Sequence, residues 1–195
     1  MGEAALRTKV SEQEYLAFER ASEERHEYAD GEIFAMSGGT YAHSAIMSNI
    51  LIELGSALRG RKCKAHGADM RIHIPSTRRY TYADALVVCG EPILTDDVRD
   101  ALENPVVIVE VLSDSTEKYD RGDKFAHYRS IPSFRDYVLV SQKKVCVEHF
   151  RRQADGLWLL RIAGAGERVL LESAGCELVV DDAYLDVVLS DEATG

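Results

Sequence analysis

The stretch Val106-Val107-Ile108-Val109-Glu110-Val111-Leu112 is a near-continuous apolar run broken by one acid. Its length and β-branched content predict a strand covered on both faces, which requires packing layers on either side of a sheet. An ionised carboxylate in such a strand costs several kcal/mol without a partner, so Glu110 has to be neutral, paired with a cation or bound to a metal ion. Asp84 poses the same question within Tyr82-Ala83-Asp84-Ala85-Leu86-Val87-Val88, part of a second predicted strand over residues 80–89. Two acids on neighbouring central strands make a site for a hard divalent cation, because Mg²⁺ takes oxygen ligands and keeps several waters. The alternative is that each acid pairs separately with an arginine. Lys124 offers a cation from the protein itself, on the predicted helix after the Glu110 strand, with Asp120 and Tyr128 on its face at four-residue spacing. Its alternative is an ordinary exposed helix lysine.

The rest of the chain can be arranged around that strand. Ser11 and Glu14 form a capping box, with Val10 placed to staple against Tyr15, so a helix starts near residue 12 and ends before Tyr28. Asp30-Gly31 is a hairpin-turn signal and residues 32–36 read as a short strand, broken by Gly38-Gly39. Ile46, Met47, Ile50, Leu51, Leu54 and Leu58 recur at spacings of three and four, the stripe of an amphipathic helix that Gly60 stops. Met70, Ile72 and Ile74 alternate with polar residues as a half-exposed strand, and residues 90–104 read as an acidic loop. Ser115 or Thr116 caps a helix over 118–130 that Pro132 closes, and a buried strand follows at 136–140. Strand, helix, strand implies a right-handed crossover between parallel strands. The turns at Lys143-Lys144, Asp155-Gly156 and 164–166 predict antiparallel hairpins in the C-terminal third, before a last helix near Tyr184.

The 195 residues suit a single domain with its core over about 11–190. An apolar fraction of 46 % with 29 % charged residues is enough to build a core, which excludes disordered and low-complexity classes. A net charge of −10 opposes loose attachment to nucleic acid or anionic membranes, so any nucleic-acid contact needs a local basic patch. Candidates are Arg59-Gly60-Arg61-Lys62 with Lys64, Arg78-Arg79, and Lys143-Lys144 with Arg151-Arg152. Four scattered cysteines fit a reduced cytoplasmic protein better than a disulfide scaffold. The first ten residues lack the apolar stretch of a signal peptide, Leu6 fails the acylation pattern begun by Gly2, and no run is long enough to span a membrane. Cys63-Lys64-Ala65-His66 and Cys146-Val147-Glu148-His149 resemble halves of a zinc site, but residues three apart on a strand point to opposite faces.

These residues resemble the bacterial Uma-type restriction-endonuclease family of the PD-(D/E)XK nuclease superfamily, over roughly 11–184. The resemblance is carried by Asp30-Gly31-Glu32-Ile33, the helix from His43, Tyr82-Ala83-Asp84, Val109-Glu110-Val111-Leu112-Ser113-Asp114-Ser115-Thr116, and Asp120 with Lys124 and Tyr128. It implies an α/β (α+β) fold with a restriction-endonuclease-like mixed central sheet flanked by helices. It also implies metal-dependent phosphodiester hydrolysis, with nucleic acid, DNA first, as substrate. Asp84 and Glu110 match the metal-binding acids, the Val111 carbonyl completes the set for Mg²⁺ or Mn²⁺, and Glu32 matches a further acid. Two departures stand out. Ala83 replaces the proline before the aspartate, and Leu112 occupies the usual lysine slot, so Lys124 would deliver the ammonium from the next helix. His43 matches the family pattern, but a histidine in the first turn of an amphipathic helix is more often a cap or packing residue, so it stays outside the catalytic set. A non-catalytic module retaining the fold is the alternative, motivated by the acidic balance and by Leu112. Apolar strand edges in the C-terminal third predict a homodimer.

Overall fold

The apolar run over 106–112 becomes the centre of a six-stranded sheet. A computed structural model of the chain describes residues 9–36, 38–95 and 98–189; the leader and acylation readings at Met1–Leu6 lie outside them. The sheet runs in the order β11 (Trp158–Ala163), β10 (Val147–Arg152), β9 (Asp136–Ser141), β8 (Val107–Leu112), β6 (Ala85–Cys89), β3 (Cys63–Gly67). All six residues of β8 are buried. Alternation divides them: Val107, Val109 and Val111 face one core, while Ile108 and Leu112 face another.

The first core is closed by α2 (Tyr41–Ala57), whose Ile46, Ile50 and Leu54 are fully buried. Truncating any of the three to alanine would cost about 2–5 kcal/mol. Thr40 caps this helix by accepting from the His43 amide at 3.1 Å, which pins its start beside β8. On the same side lie the hairpin β12 (Arg168–Leu171) with β13 (Cys176–Val179) and the short α5 (Val180–Ala183). The second core is covered by a continuous helical segment made of α3 (Glu117–Tyr119), a π-helical turn (Asp120–Lys124) and α4 (Phe125–Tyr128). This segment links β8 to β9, which pair in parallel with Glu110 opposite Leu139, as the crossover expectation required.

A second sheet has the order β2 (Glu32–Ala35), β1 (His26–Ala29), β5 (Arg79–Tyr82), β4 (Arg71–Ile74), β7 (Ala101–Leu102). Asp30 (φ 43°) and Gly31 (φ 98°) form the tight β1–β2 turn, both in the left-handed region such a turn demands. Against this sheet lies α1 (Glu12–Ala21), with the expected Ser11–Glu14 capping box and Tyr15 stacked on Tyr28.

Four expectations need correction. Residues 80–89 are two strands in two different sheets, because the chain leaves one layer for the other at Ala83-Asp84. The acidic loop supplies β7, which extends the five-stranded sheet in parallel beside β4. The turn at 164–166 does not make a hairpin, since β12 pairs with β13 rather than β11. Cys63 and Cys89 are disulfide-bonded rather than reduced, their register opposite one another on β3 and β6 bringing the Cα atoms to 4.0 Å; Cys146 and Cys176 are free. The mixed α+β architecture with a C-terminal antiparallel hairpin is as the sequence indicated. No helix among the described residues is long and apolar enough to cross a membrane.

Candidate active-site cleft

The β6–β8 register ends with Ala85 opposite Val109, and Asp84 immediately precedes β6 where the chain passes between the sheets. Asp84 accepts from the Val111 amide through Oδ2 at 2.7 Å, which ties the sheet-to-sheet junction onto β8. Glu110 points from the other face of β8 toward the covering helix. There Tyr128 donates to its Oε1 at 2.9 Å and the Lys124 ammonium lies 2.9 Å from the same atom. Lys124 is also 3.6 Å from Asp120 and 3.8 Å from Glu27. Asp84, Glu110 and Lys124 thus line one cleft of about 280 Å³, together with His43, Asp120 and Gln142.

The π-helical turn carries both Asp120 and Lys124, and both are buried. A π turn widens the helix by one residue, a local irregularity common at functional sites. Tyr137 donates to the Asp120 backbone carbonyl at 2.9 Å, holding that turn against β9. From the second sheet, Glu27 accepts from Thr81 and lies 3.4 Å from the Tyr119 hydroxyl. Sequence reasoning missed Glu27. The signal was available in the Asp30-Gly31 turn, because a two-residue hairpin makes 26–29 the partner strand of 32–35 and puts Glu27 opposite Phe34. Glu32 is the corresponding correction: it is exposed on β2, outside the residues that line the cleft, and the acid that this hairpin delivers is Glu27.

Burial is the dominant electrostatic force here. It pushes Glu110 well up, against the pull of Lys124 and reinforced by Asp120 and Asp84. Asp120 is also raised, first by burial, with Asp84 and Glu27 adding to it against Lys124. Burial alone would lower Lys124, but the carboxylates of Glu110, Glu27 and Asp120 outweigh it and hold the ammonium well above the usual lysine range. One ammonium therefore serves more acids than it can neutralise. His43 brings a partial remedy. Its Nε2 lies 3.2 Å from Asp84 Oδ2, and hydrogen bonding to Asp84 raises its pKa, with a smaller contribution from the Val111 backbone.

The donor set fits a hard cation. Both contacts to Asp84 fall on Oδ2 and both contacts to Glu110 fall on Oε1, which leaves a second oxygen on each carboxylate. The excess of acids over cations supplies the charge. Among the described residues no three His, Cys, Asp or Glu side chains group as a ready-made metal cage, but Mg²⁺ commonly takes only one or two carboxylates and retains waters. The zinc reading fails on contacts: Cys63 is oxidised with Cys89, and His149 Nε2 is 2.7 Å from Asp136. The basic candidates are dispersed. Arg78 pairs with Asp30, Arg79 donates to Tyr119, Arg61 donates to the Gly175 carbonyl and Arg151 pairs with Glu172, while Lys143 pairs with Asp114 at the cleft's lip.

A mixed sheet with Glu110 on its central strand, Asp84 at the start of the neighbouring one and Lys124 reaching Glu110 from the crossover helix makes a mixed α+β architecture with an acidic cleft at its centre. Comparison with known proteins agrees. The Uma2 family model, described as "Putative restriction endonuclease", matches residues 12–181. Two uncharacterised Synechocystis proteins are related: slr1290 is 39 % identical over 181 residues (90 % of this chain, 92 % of that one), and sll1609 is 35 % identical over 147 residues (75 % and 83 %). The crystal structure of a "putative nuclease belonging to DUF820" from Anabaena variabilis shares the fold, with a TM-score of 0.73 at 18 % identity over 90 % of this chain and 98 % of that one. The chain belongs to the Uma2 family.

Proposed function

We propose that this protein is a metal-dependent nuclease that hydrolyses phosphodiester bonds in nucleic acid, with DNA as the first substrate to test. The observation that carries the reading is the 2.9 Å approach of Lys124 to Glu110, made by a lysine fourteen residues further along the chain, in the cleft that Asp84 also lines. Asp84, Glu110 and the Val111 carbonyl would hold Mg²⁺ or Mn²⁺, which when bound supplies Lewis-acid stabilisation of charge on the phosphate oxygens. Lys124 orients the attacking water and keeps its proton under the influence of three carboxylates. Tyr128 fixes the Glu110 carboxylate by donating to Oε1, so Oε2 would be the oxygen offered to a metal. Asp120 and Glu27 position the ammonium by attracting it from two other directions. A lysine delivered from a helix can serve as well as one on the strand, because the chemistry requires only its location.

The competing reading is a non-catalytic module of the same fold. It is favoured by the depth of the Glu110–Lys124 pair, whose side chains are 4 % and 8 % exposed. Cleavage of single- and double-stranded DNA and RNA with Mg²⁺ or Mn²⁺ separates the two, comparing wild type with Glu110→Ala and Lys124→Ala. Metal-dependent cleavage lost in both folded variants supports the nuclease; equal cleavage in all three, or none in wild type, supports the module. A homodimer is part of the same proposal. β11 is the outer strand of the six-stranded sheet and exposes Leu159, Leu160 and Ile162, the surface a second copy would cover. Monomeric elution at all working concentrations would remove it.

A further inference from the structure

The basic pair Arg151-Arg152, which the cleft does not use, lies at the opposite end of the sheet in a setting of its own. Arg152 ends β10, and its amide donates to the Arg135 carbonyl just before β9, so the two arginines are neighbours across the ladder. They line two adjoining cavities, one of about 540 Å³ shared with Arg151, Asp136 and Ser173, the other of about 430 Å³ shared with Gln153. The acids in this groove are already partnered. Asp136 is fully buried between His149 and the Ser173 hydroxyl, and Glu172 pairs with Arg151. Arg135 spends one nitrogen, Nη1, on the carbonyls of Pro132 and Phe134. The Arg152 guanidinium, half-buried, makes no side-chain hydrogen bond or ion pair among the described residues. Guanidinium groups offer planar forked donors that match phosphate oxygens, and the groove keeps these donors uncommitted in a chain of net charge −10.

We propose that the Arg135–Arg152 groove binds the phosphodiester backbone of nucleic acid, as an exosite separate from the cleft. Asp136 in the groove begins β9 and Gln142 in the cleft directly follows its last residue, a separation of about 20 Å at the strand rise. The inference rests on the nuclease reading for its choice of ligand, but its test does not need catalysis. The groove contributes phosphate contacts without base edges, so it acts on affinity and salt dependence rather than on sequence preference.

The experiment is fluorescence anisotropy of a labelled 30-base-pair DNA duplex and its single strand, without divalent metal, over a salt series. Wild type is compared with Arg135→Ala/Arg152→Ala, with the single variant Arg152→Gln, and with Arg161→Ala, an exposed arginine on β11 outside the groove. Each phosphate contact contributes about 0.9 to the slope of log affinity against log salt on duplex DNA. The double variant should lose about 1.8 of that slope, Arg152→Gln about half as much, and Arg161→Ala none. No binding by wild type, or equal slopes in a double variant that melts like wild type, overturns the exosite. Should the double variant misfold, Arg152→Gln decides alone. A parallel calorimetric titration with inorganic phosphate distinguishes the source: phosphate binding lost in the variants with duplex and single-strand affinity unchanged also overturns the proposal. Cleavage by wild type with unaltered slopes would sink the exosite and leave the nuclease standing, whereas an absence of cleavage with the slope loss intact would do the reverse.

Discussion

Replacing Lys124 with methionine keeps much of the buried stem and removes the only ammonium within 4 Å of Glu110 and Asp120 among the contacts of this cleft. The cost follows from what is left behind. Breaking a buried ion pair by deleting one partner costs about 3–5 kcal/mol, since the remaining charge stays desolvated. Here the stranded group is a carboxyl beside two further acids, so it will escape by taking up a proton. Its folded pKa then rises further above the unfolded value near 4.5, and a raised acid binds protons in the native state that the unfolded chain releases. Stability of the variant therefore falls as pH rises above about 4.5, and the deficit is largest at neutral and alkaline pH. In wild type, Lys124 itself is raised, so its contribution is fully present below its unfolded pKa and is lost as pH rises past about 10.4. At pH 8 the deficit should lower the melting temperature by roughly 6–20 °C, taking about 2–4 °C per kcal/mol for a chain of this size. At pH 5 it should shrink to less than half, and Glu110→Gln added to Lys124→Met should recover stability at pH 8. Thermal unfolding by circular dichroism at the two pH values checks this. An equal deficit at both, or no recovery in the double variant, would refute the argument that a buried carboxylate is what the lysine neutralises.

Other consequences can be checked with the same protein. Glu53 is pushed up to about 7 by burial, against its hydrogen bond from the Val179 amide; stability should therefore fall as pH rises from about 4.5 to 7, and Glu53→Gln should flatten that slope in urea unfolding. Tyr128→Phe removes a buried donor to Glu110 and should destabilise by about 1–3 kcal/mol, an effect that disappears in a Glu110→Leu background, which has no acceptor, if the hydrogen bond is its origin. A Cβ at Gly39 would meet His43 Nδ1 at 2.9 Å, so Gly39→Ala should displace the ring from Asp84 and return its pKa toward about 6.5, read by NMR titration; an unchanged titration counts against the contact. The Cys63–Cys89 disulfide closes a separation of 26 residues, and Cys63→Ser/Cys89→Ser should cost about 2–4 kcal/mol, measured against wild type with and without reductant.

The parts of this molecule that were legible in the sequence are those where one local period dominates. The α2 stripe and the buried β8 run both state their environment directly, and the four-residue spacing of Asp120, Lys124 and Tyr128 foretold a shared helix face. Asp84 and Glu110 stood out because an acid inside an apolar strand demands a partner. What stayed hidden depends on tertiary geometry. No periodicity marks Ala83-Asp84 as a passage between sheets, since the residues on both sides are mostly buried. The π turn leaves no compositional trace; the contact seen on it, from the Tyr137 hydroxyl to the Asp120 carbonyl, is a tertiary one. Glu27 was obscured because its strand is four residues long and has only one fully buried side chain, too short for alternation to be read without its hairpin partner. The disulfide was obscured for a different reason: pairing Cys63 with Cys89 needs the β3–β6 register, which no spacing of cysteines encodes.

The passage of the chain between its two sheets at Asp84 makes this cluster a mechanical joint. Glu27 and Thr81 belong to one sheet, Glu110 to the other, and the helix bearing Lys124 clasps both. The Glu27–Lys124 and Asp84–Val111 contacts both depend on how the two sheets are seated against each other. The cluster is thus a gauge of how the layers are seated. Substitutions far away, in either core, can therefore change these distances without replacing any residue of the cleft.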